Sequence, residues 1–226
     1  MDVEAAKRAV GERAAALVED GMTLGLGTGS TAQWFVAACG RLVAGGMRLR
    51  GVPTSLASER QARDLGIAVV ELGRDGVDLA VDGADAVDGQ LRLIKGAGGA
   101  LLREKIVASA ARRFVVVVDS SKLRDPLGGR LPVEIVPFGH AATLAALERV
   151  TDREARLRPG LDGPYVTDNG GMVSDLEMSE IADPEGLAEV LSSLAGVIGH
   201  GLFLGMADLV LVATAGGEVL ELTARS

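Results

Sequence analysis

The chain has 226 residues, 48% hydrophobic and 24% charged, a globular balance that excludes intrinsic disorder and allows one large domain or two small ones. A formal charge of -8 argues against nucleic acid as a partner, because that binding needs basic surface to displace counterions, but it leaves room for a small anion held by a few local amides and lysines. The longest strongly apolar runs, Phe114 to Val118 and Leu209 to Ala213, fall far short of the roughly 18 residues of a membrane helix and read as buried strands. The opening Met1-Asp2-Val3-Glu4 lacks a basic segment leading into an apolar one, so no secretory signal is expected. The lone Cys39 has no partner for an internal disulfide. Together these features predict a cytoplasmic protein, with Cys39 a small buried apolar residue on a helix and not a nucleophile.

Helical spacing of Val3, Ala6, Val10, Leu17 and Val18 predicts an opening helix that ends near Asp20-Gly21. Strands are expected at Thr23 to Leu26, Leu49 to Pro53, Ile67 to Glu71, Val77 to Val81, Leu91 to Ile94 and Phe114 to Val118. Helices are expected between them over about Thr31 to Val43, Ala57 to Leu65 and Ala100 to Arg112. Near-continuous apolar strands alternating with helices indicate an α/β fold, a doubly wound, mainly parallel, Rossmann-like sheet covered on both faces. The pattern then changes. A strand at Val133 to Val136, a helix over Ala141 to Arg149, a hairpin of Tyr165 to Thr167 with Met172 to Ser174, a helix over Pro184 to Leu194 and a strand near Val197 suggest a smaller inserted α+β domain. A last hairpin, Leu209 to Ala213 and Glu218 to Leu222 turned by Gly216-Gly217, returns to the main sheet. The expected division is therefore 1–129 plus 206–226 for the larger domain and 130–205 for the smaller.

Four polar or glycine-rich segments fall at successive strand ends, where doubly wound sheets collect ligands. Gly25-Leu26-Gly27-Thr28-Gly29-Ser30-Thr31 joins a strand to a helix. Its glycines allow a close backbone approach, and the helix start offers N–H groups and partial positive charge to a phosphate. The plainer alternative is a glycine turn with Ser30 or Thr31 as helix cap. No Gly-Lys-Ser/Thr follows, and Ser30 stands where a dinucleotide fingerprint needs its third glycine. Asp82-Gly83-Ala84-Asp85 offers two carboxylates for sugar hydroxyls or proton transfer, or else a solvated turn. Lys95-Gly96-Ala97-Gly98-Gly99 precedes a helix whose first turn carries Glu104, where the dipole favours a usable base, though acids in first turns also serve stability alone. Asp119-Ser120-Ser121-Lys122 places a lysine for an anion contact or for water. The two histidines, His140 and His200, lie in no spacing typical of a metal site and are read as structural, with no metal and no cofactor expected.

Gly27-Thr28-Gly29-Ser30-Thr31, Asp82-Gly83-Ala84-Asp85, Lys95-Gly96-Ala97-Gly98 with Arg103-Glu104-Lys105, Ser121-Lys122, Leu131-Pro132-Val133-Glu134, Val166-Thr167-Asp168-Asn169-Gly170 and Gly201-Leu202-Phe203 resemble in order and approximate spacing the signature blocks of A-type ribose-5-phosphate isomerases across nearly the whole chain. The resemblance implies an aldose-ketose isomerase of the non-oxidative pentose phosphate pathway, interconverting ribose 5-phosphate and ribulose 5-phosphate through an enediolate. It implies Glu104 as carbon base, with Asp82, Asp85 and Lys95 as the other catalytic groups. Thr28, Gly29, Ser30, Thr31, Asp82 to Asp85, Lys95, Gly96, Ala97, Gly98, Lys122 and Lys7 would contact the substrate, the last near the phosphate. The sequence departs from the family pattern at Ala86, where glutamate is common, and at Ala97, which interrupts a triple glycine. A homodimer or dimer of dimers is implied, with neither nucleic acid nor membrane as partner. The competing readings are a non-catalytic sugar-phosphate-sensing domain, which would not need Glu104, and another enzyme of similar fold, such as an amino-sugar phosphate deaminase or a coenzyme A transferase.

Overall fold

Apolar residues on both faces of the strands in the first and last parts of the chain leave them only one stable arrangement, a sheet covered by helices on each side. The computed structural model describes residues 3–214 and 216–223; Met1 and Asp2, part of the N-terminal segment read above, lie outside them. In chain order the elements begin with α1 (Val3–Ala15), β1 (Thr23–Leu26), α2 (Ala32–Ala44), β2 (Arg50–Pro53), α3 (Leu56–Asp64), β3 (Ala68–Val69) and β4 (Leu79–Asp82). They continue with β5 (Ala86–Val87), β6 (Leu93–Ile94), α4 (Leu101–Ser109), β7 (Phe114–Asp119), a 3-10 turn (Ser120–Lys122) and β8 (Gly129–Ile135). Next come α5 (His140–Thr151), β9 (Ala155–Leu157), β10 (Met172–Met178) and α6 (Pro184–Ser193). The last strands are β11 (Val197–His200), β12 (Leu202–Phe203), β13 (Leu209–Ala213) and β14 (Val219–Leu222).

The chain forms two compact units, the first from residues 1–84, 103–123 and 205–226. Its seven-stranded sheet runs β14-β13-β7-β4-β1-β2-β3, parallel throughout except for the hairpin strand β14. Alternation along each strand sends Leu24, Leu26, Leu79, Val81, Val115, Val117, Leu209 and Leu211 into one core with Val10, Phe35, Val36 and Cys39 from α1 and α2. Full burial of each large side chain there contributes roughly 1.5–3 kcal/mol. On the opposite face Val107 of α4 packs over Gly25 and Ala80. Helices therefore cover both faces of a mainly parallel sheet, the expected α/β class.

The second unit comprises 85–102 and 124–204. It holds a four-stranded antiparallel sheet, β11-β8-β10-β9, and a three-stranded one, β12-β6-β5. The division differs from the expected one, because 85–102 and 124–129 join the smaller unit. The reason is packing: Ala86 and Ile94 share a core with Leu127, Leu131, Val133 and Leu202. The hairpin expected at Tyr165 to Thr167 is also altered. That segment is no strand; Val166 makes an isolated bridge to Met172, and Thr167 turns the chain by donating its N–H to Gly171 O at 2.8 Å.

Candidate active site

In the first unit the sheet order reverses at β1, whose successor β2 lies on one side while β4 pairs on the other. A crevice opens at the carboxyl ends of strands at such a point. Residues 27–31 leave β1 there, and Asp82 is the last residue of β4. The two are joined directly: Asp82, 3% exposed, accepts the N–H of Thr28 at 3.0 Å and of Gly83 at 2.8 Å through Oδ1. Only glycine fits at position 27, since a β-carbon would stand 2.4 Å from that same Oδ1. The Thr28 hydroxyl meets Thr54 Oγ1 at 2.7 Å and Ser55 Oγ at 2.8 Å, both in the loop after β2. Ser30 and Gly29 are exposed. Thr31 occupies the cap position of α2 but makes no side-chain capping bond, so its hydroxyl is not spent in the way the plainer reading of this turn supposed.

Glu104 lies in the first turn of α4 and is 4% exposed, which sets it apart from the solvated acids that ordinarily stabilise helix starts. Its neighbour Lys105 is half-buried, and desolvation pushes its amine down to about 8. Lys122 ends the 3-10 turn after β7, and Asp119 caps that turn by accepting the Ser121 N–H at 2.9 Å. Burial opposes ionisation of Asp119, but hydrogen bonds from Ser121 and the charge of Lys122 outweigh it and hold the carboxyl below its usual range. Lys7 lies on α1 and is ion-paired with Glu4 at 2.8 Å. The first unit thus carries Lys7, residues 28–31, Asp82 to Ala84, Glu104 and Lys122.

The second unit carries Asp85, Lys95 and residues 96–98. Lys95 is 2% exposed, with its ammonium 5.5 Å from the centre of the Phe203 ring and its backbone N–H donated to Gly201 O at 2.9 Å. Asp85 Oδ2 accepts the N–H of Ala97 at 2.9 Å, so the second carboxylate of the Asp-Gly-Ala-Asp segment anchors the glycine-rich loop. Arg158 and Tyr165, neither of which the sequence marked as a site residue, also touch this loop. Thr54 and Ser55 are their counterparts in the first unit. Each is remote in sequence from the loop it meets, and only the pairing of strands brings it there.

The His140 Nδ1 lies 3.1 Å from Pro137 O at the start of α5. His200 is buried, with Nε2 3.1 Å from Ser192 Oγ and Nδ1 accepting the Leu202 N–H at 3.3 Å. Among the described residues no three His, Cys, Asp or Glu side chains gather as a metal-binding set, and no helix is long and apolar enough to cross a membrane. Cys39 is buried in the core of the first unit, and desolvation pushes its thiol up to about 12.

Comparison with known proteins connects this geometry to one family. Residues 50–217 match the family model of ribose 5-phosphate isomerase A (phosphoriboisomerase A). A ribose-5-phosphate isomerase A of Sinorhizobium fredii is 47% identical over 220 residues, covering 94% of this chain and 93% of its own. A solved D-ribose-5-phosphate isomerase in complex with phospho-erythronic acid is 39% identical with a TM-score of 0.94, covering 99% of this chain and all of that one. The ribose 5-phosphate isomerase A structure from Methanocaldococcus jannaschii is 41% identical with a TM-score of 0.91, covering 96% of this chain and 98% of that one. Matched along nearly its whole length in both sequence and fold, the chain belongs to the ribose 5-phosphate isomerase A family.

Proposed function

We propose that this enzyme interconverts D-ribose 5-phosphate and D-ribulose 5-phosphate through an enediolate, without a metal or other cofactor. Isomerisation of an aldose to a ketose needs an opened ring, a base for the proton on C2, stabilisation of the charge that then develops on oxygen, and return of a proton to C1. Glu104 takes the C2 proton as carboxylate and, as carboxylic acid, returns it to C1. Asp82 assists ring opening and carries the proton that leaves O2 and arrives on O1. Lys95 and Asp85 orient the hydroxyls, with the ammonium offsetting enediolate charge. No electrons enter or leave, and the atoms of substrate and product are the same.

Ser30, Thr31 and the amides of residues 28–31 hold the phosphate, with Lys122 and Lys7 supplying positive charge. Residues 83–84 and 96–98 line the sugar. Holding the phosphate end fixes the reacting end, so remote binding serves the chemistry. A relative solved with phospho-erythronic acid supports a phosphorylated four- or five-carbon ligand, since such an acid carries a charged oxygen where the enediolate would.

The observation that carries the reading is the direct bond between the phosphate loop and the buried carboxylate, Thr28 N–H to Asp82 Oδ1, at the switch point of the sheet. A sensor domain has no use for a second buried carboxylate, Glu104, on a neighbouring helix. We further propose that the enzyme works in the cytoplasm, in the non-oxidative pentose phosphate pathway, as a homodimer or dimer of dimers. The test is an assay of the purified protein for ribulose 5-phosphate formed from ribose 5-phosphate, before and after exhaustive chelation. Ketose is expected at the same rate in both. No ketose in either would end the isomerase reading; loss on chelation with recovery on adding a divalent ion would end the metal-free one.

A further inference from the structure

The loop Gly96-Ala97-Gly98-Gly99 has almost no side chains with which to anchor itself, and glycine-rich backbone is costly to order. Its order is therefore supplied by its neighbours in the second unit. Arg158, the residue after β9, is itself fixed on both sides, donating its N–H to Val173 O at 2.8 Å and accepting the Tyr165 N–H at 2.8 Å. Its guanidinium forks onto Asp175, Nε to Oδ2 at 2.8 Å and Nη2 to Oδ1 at 2.6 Å. Its remaining nitrogen, Nη1, donates to the carbonyls of Gly96 at 3.1 Å and Ala97 at 2.9 Å.

Tyr165 completes the arrangement. Its ring lies 5.7 Å from the guanidinium, its hydroxyl donates to Gly98 O at 3.3 Å, and it fills the space a Gly99 side chain would need, 2.3 Å from an added β-carbon. Three successive carbonyls are thus held from one direction. A trans peptide is planar, so its N–H points opposite to its carbonyl. The Ala97 N–H is accordingly turned to Asp85, and the Gly98 N–H, opposite the Ala97 carbonyl, is turned away from Arg158.

We propose that Arg158 is a positioning residue of the isomerase: with Asp175 and Tyr165 it fixes the loop after Lys95 so that the Gly98 N–H is presented to a substrate oxygen. This rests on the function proposed above. A fork is required, because a point charge on Asp175 cannot also bind two carbonyls. The role thereby separates from simple charge pairing, which lysine would satisfy.

The test compares Arg158→Met and Arg158→Lys with the parent in thermal melting, steady-state kinetics on ribose 5-phosphate, and amide exchange at Ala97 and Gly98. Arg158→Met should lower the melting temperature and reduce kcat by about ten- to a hundredfold, the scale of a small misplacement of reacting groups. Arg158→Lys should recover most of the melting temperature through Asp175, yet keep at least about a tenfold deficit in kcat and faster exchange at Ala97. A folded Arg158→Lys enzyme within about twofold of the parent in kcat and KM, with unchanged exchange, would overturn the proposal. Should Arg158→Met fail to fold, Arg158→Lys decides alone. An inactive parent whose Ala97 exchange still rises in Arg158→Lys would sink the isomerase reading and leave the loop anchoring intact, so the two failures are distinguishable.

Discussion

Glu104 and Asp82, the groups proposed to divide proton work between carbon and oxygen, differ in setting, the one on the first turn of a helix and the other at a strand end wired to two backbone amides. Two amide donors already hold Oδ1 of Asp82 against the loop, fixing the carboxylate proposed to move the oxygen-bound proton, whereas Glu104 is the group proposed to carry the C2 proton. Glu104→Gln should therefore lower kcat by about two to four orders of magnitude, the usual range for losing a general base. KM and melting temperature should change little, since glutamine is nearly isosteric and keeps most hydrogen-bonding capacity. Exchange of the substrate's C2 hydrogen with solvent deuterium should fall in parallel. A variant within about tenfold of the parent would transfer the role of carbon base to Asp82. The residue types and order of these acids were legible in the sequence, and so was a buried Cys39. What was not legible was the set of polar side chains that hold the loops, because Thr54 lies 26 residues from Thr28 and Arg158 lies 62 from Gly96, distances at which no local spacing operates.

Helix starts in this fold do two kinds of work, and α3 shows both. Ser55 caps it by accepting the Ser58 N–H at 3.1 Å, while the Ser58 hydroxyl accepts the Ser55 N–H at 3.1 Å, a reciprocal capping box. The same Ser55 hydroxyl accepts from Thr28, so the cap of one helix steadies the loop that opens another. Ser55→Ala should cost about 1 kcal/mol, or a few degrees in melting temperature for a chain of this size, and should raise KM for ribose 5-phosphate more than it lowers kcat. Ser55→Thr should restore both if the hydroxyl is what matters. A normal KM with the expected loss of stability would show that the cap serves the helix alone. Elements with a full period were readable: β1 and β13 fall where the apolar pattern put them. The two- and three-residue strands β5, β9 and β12 were missed because so short a run carries no alternation to read.

At the scale of the molecule, the assignment of 85–102 to the smaller unit was hidden for a related reason: strand pairing across the sequence, β12 to β6 to β5, decides it, and composition does not. Global stability should likewise depend on a group whose environment only the fold creates. Lys105 has its amine lowered by desolvation from 10.5 to about 8. Between those values the unfolded chain keeps a proton that the folded chain has released, so stability rises with pH across the interval, and the full penalty for burying the charge is present below about 8. The shift corresponds to at most on the order of 3 kcal/mol, reduced in practice because part of the side chain reaches solvent. Lys105→Met keeps the aliphatic length and removes the charge. It should raise the melting temperature at neutral pH, by the equivalent of about 1–3 kcal/mol, and its advantage should shrink as pH climbs. Taking the difference between variant and parent cancels the other groups that titrate there, among them Tyr165, whose phenol burial pushes above its ordinary value and which acts in the opposite sense, favouring the folded state less as pH rises. Thermal melts from about pH 7 to about pH 10 provide the measurement. A difference that stays constant across that range would show that Lys105 holds its proton in the folded protein as it does in water, and that its burial carries no electrostatic cost.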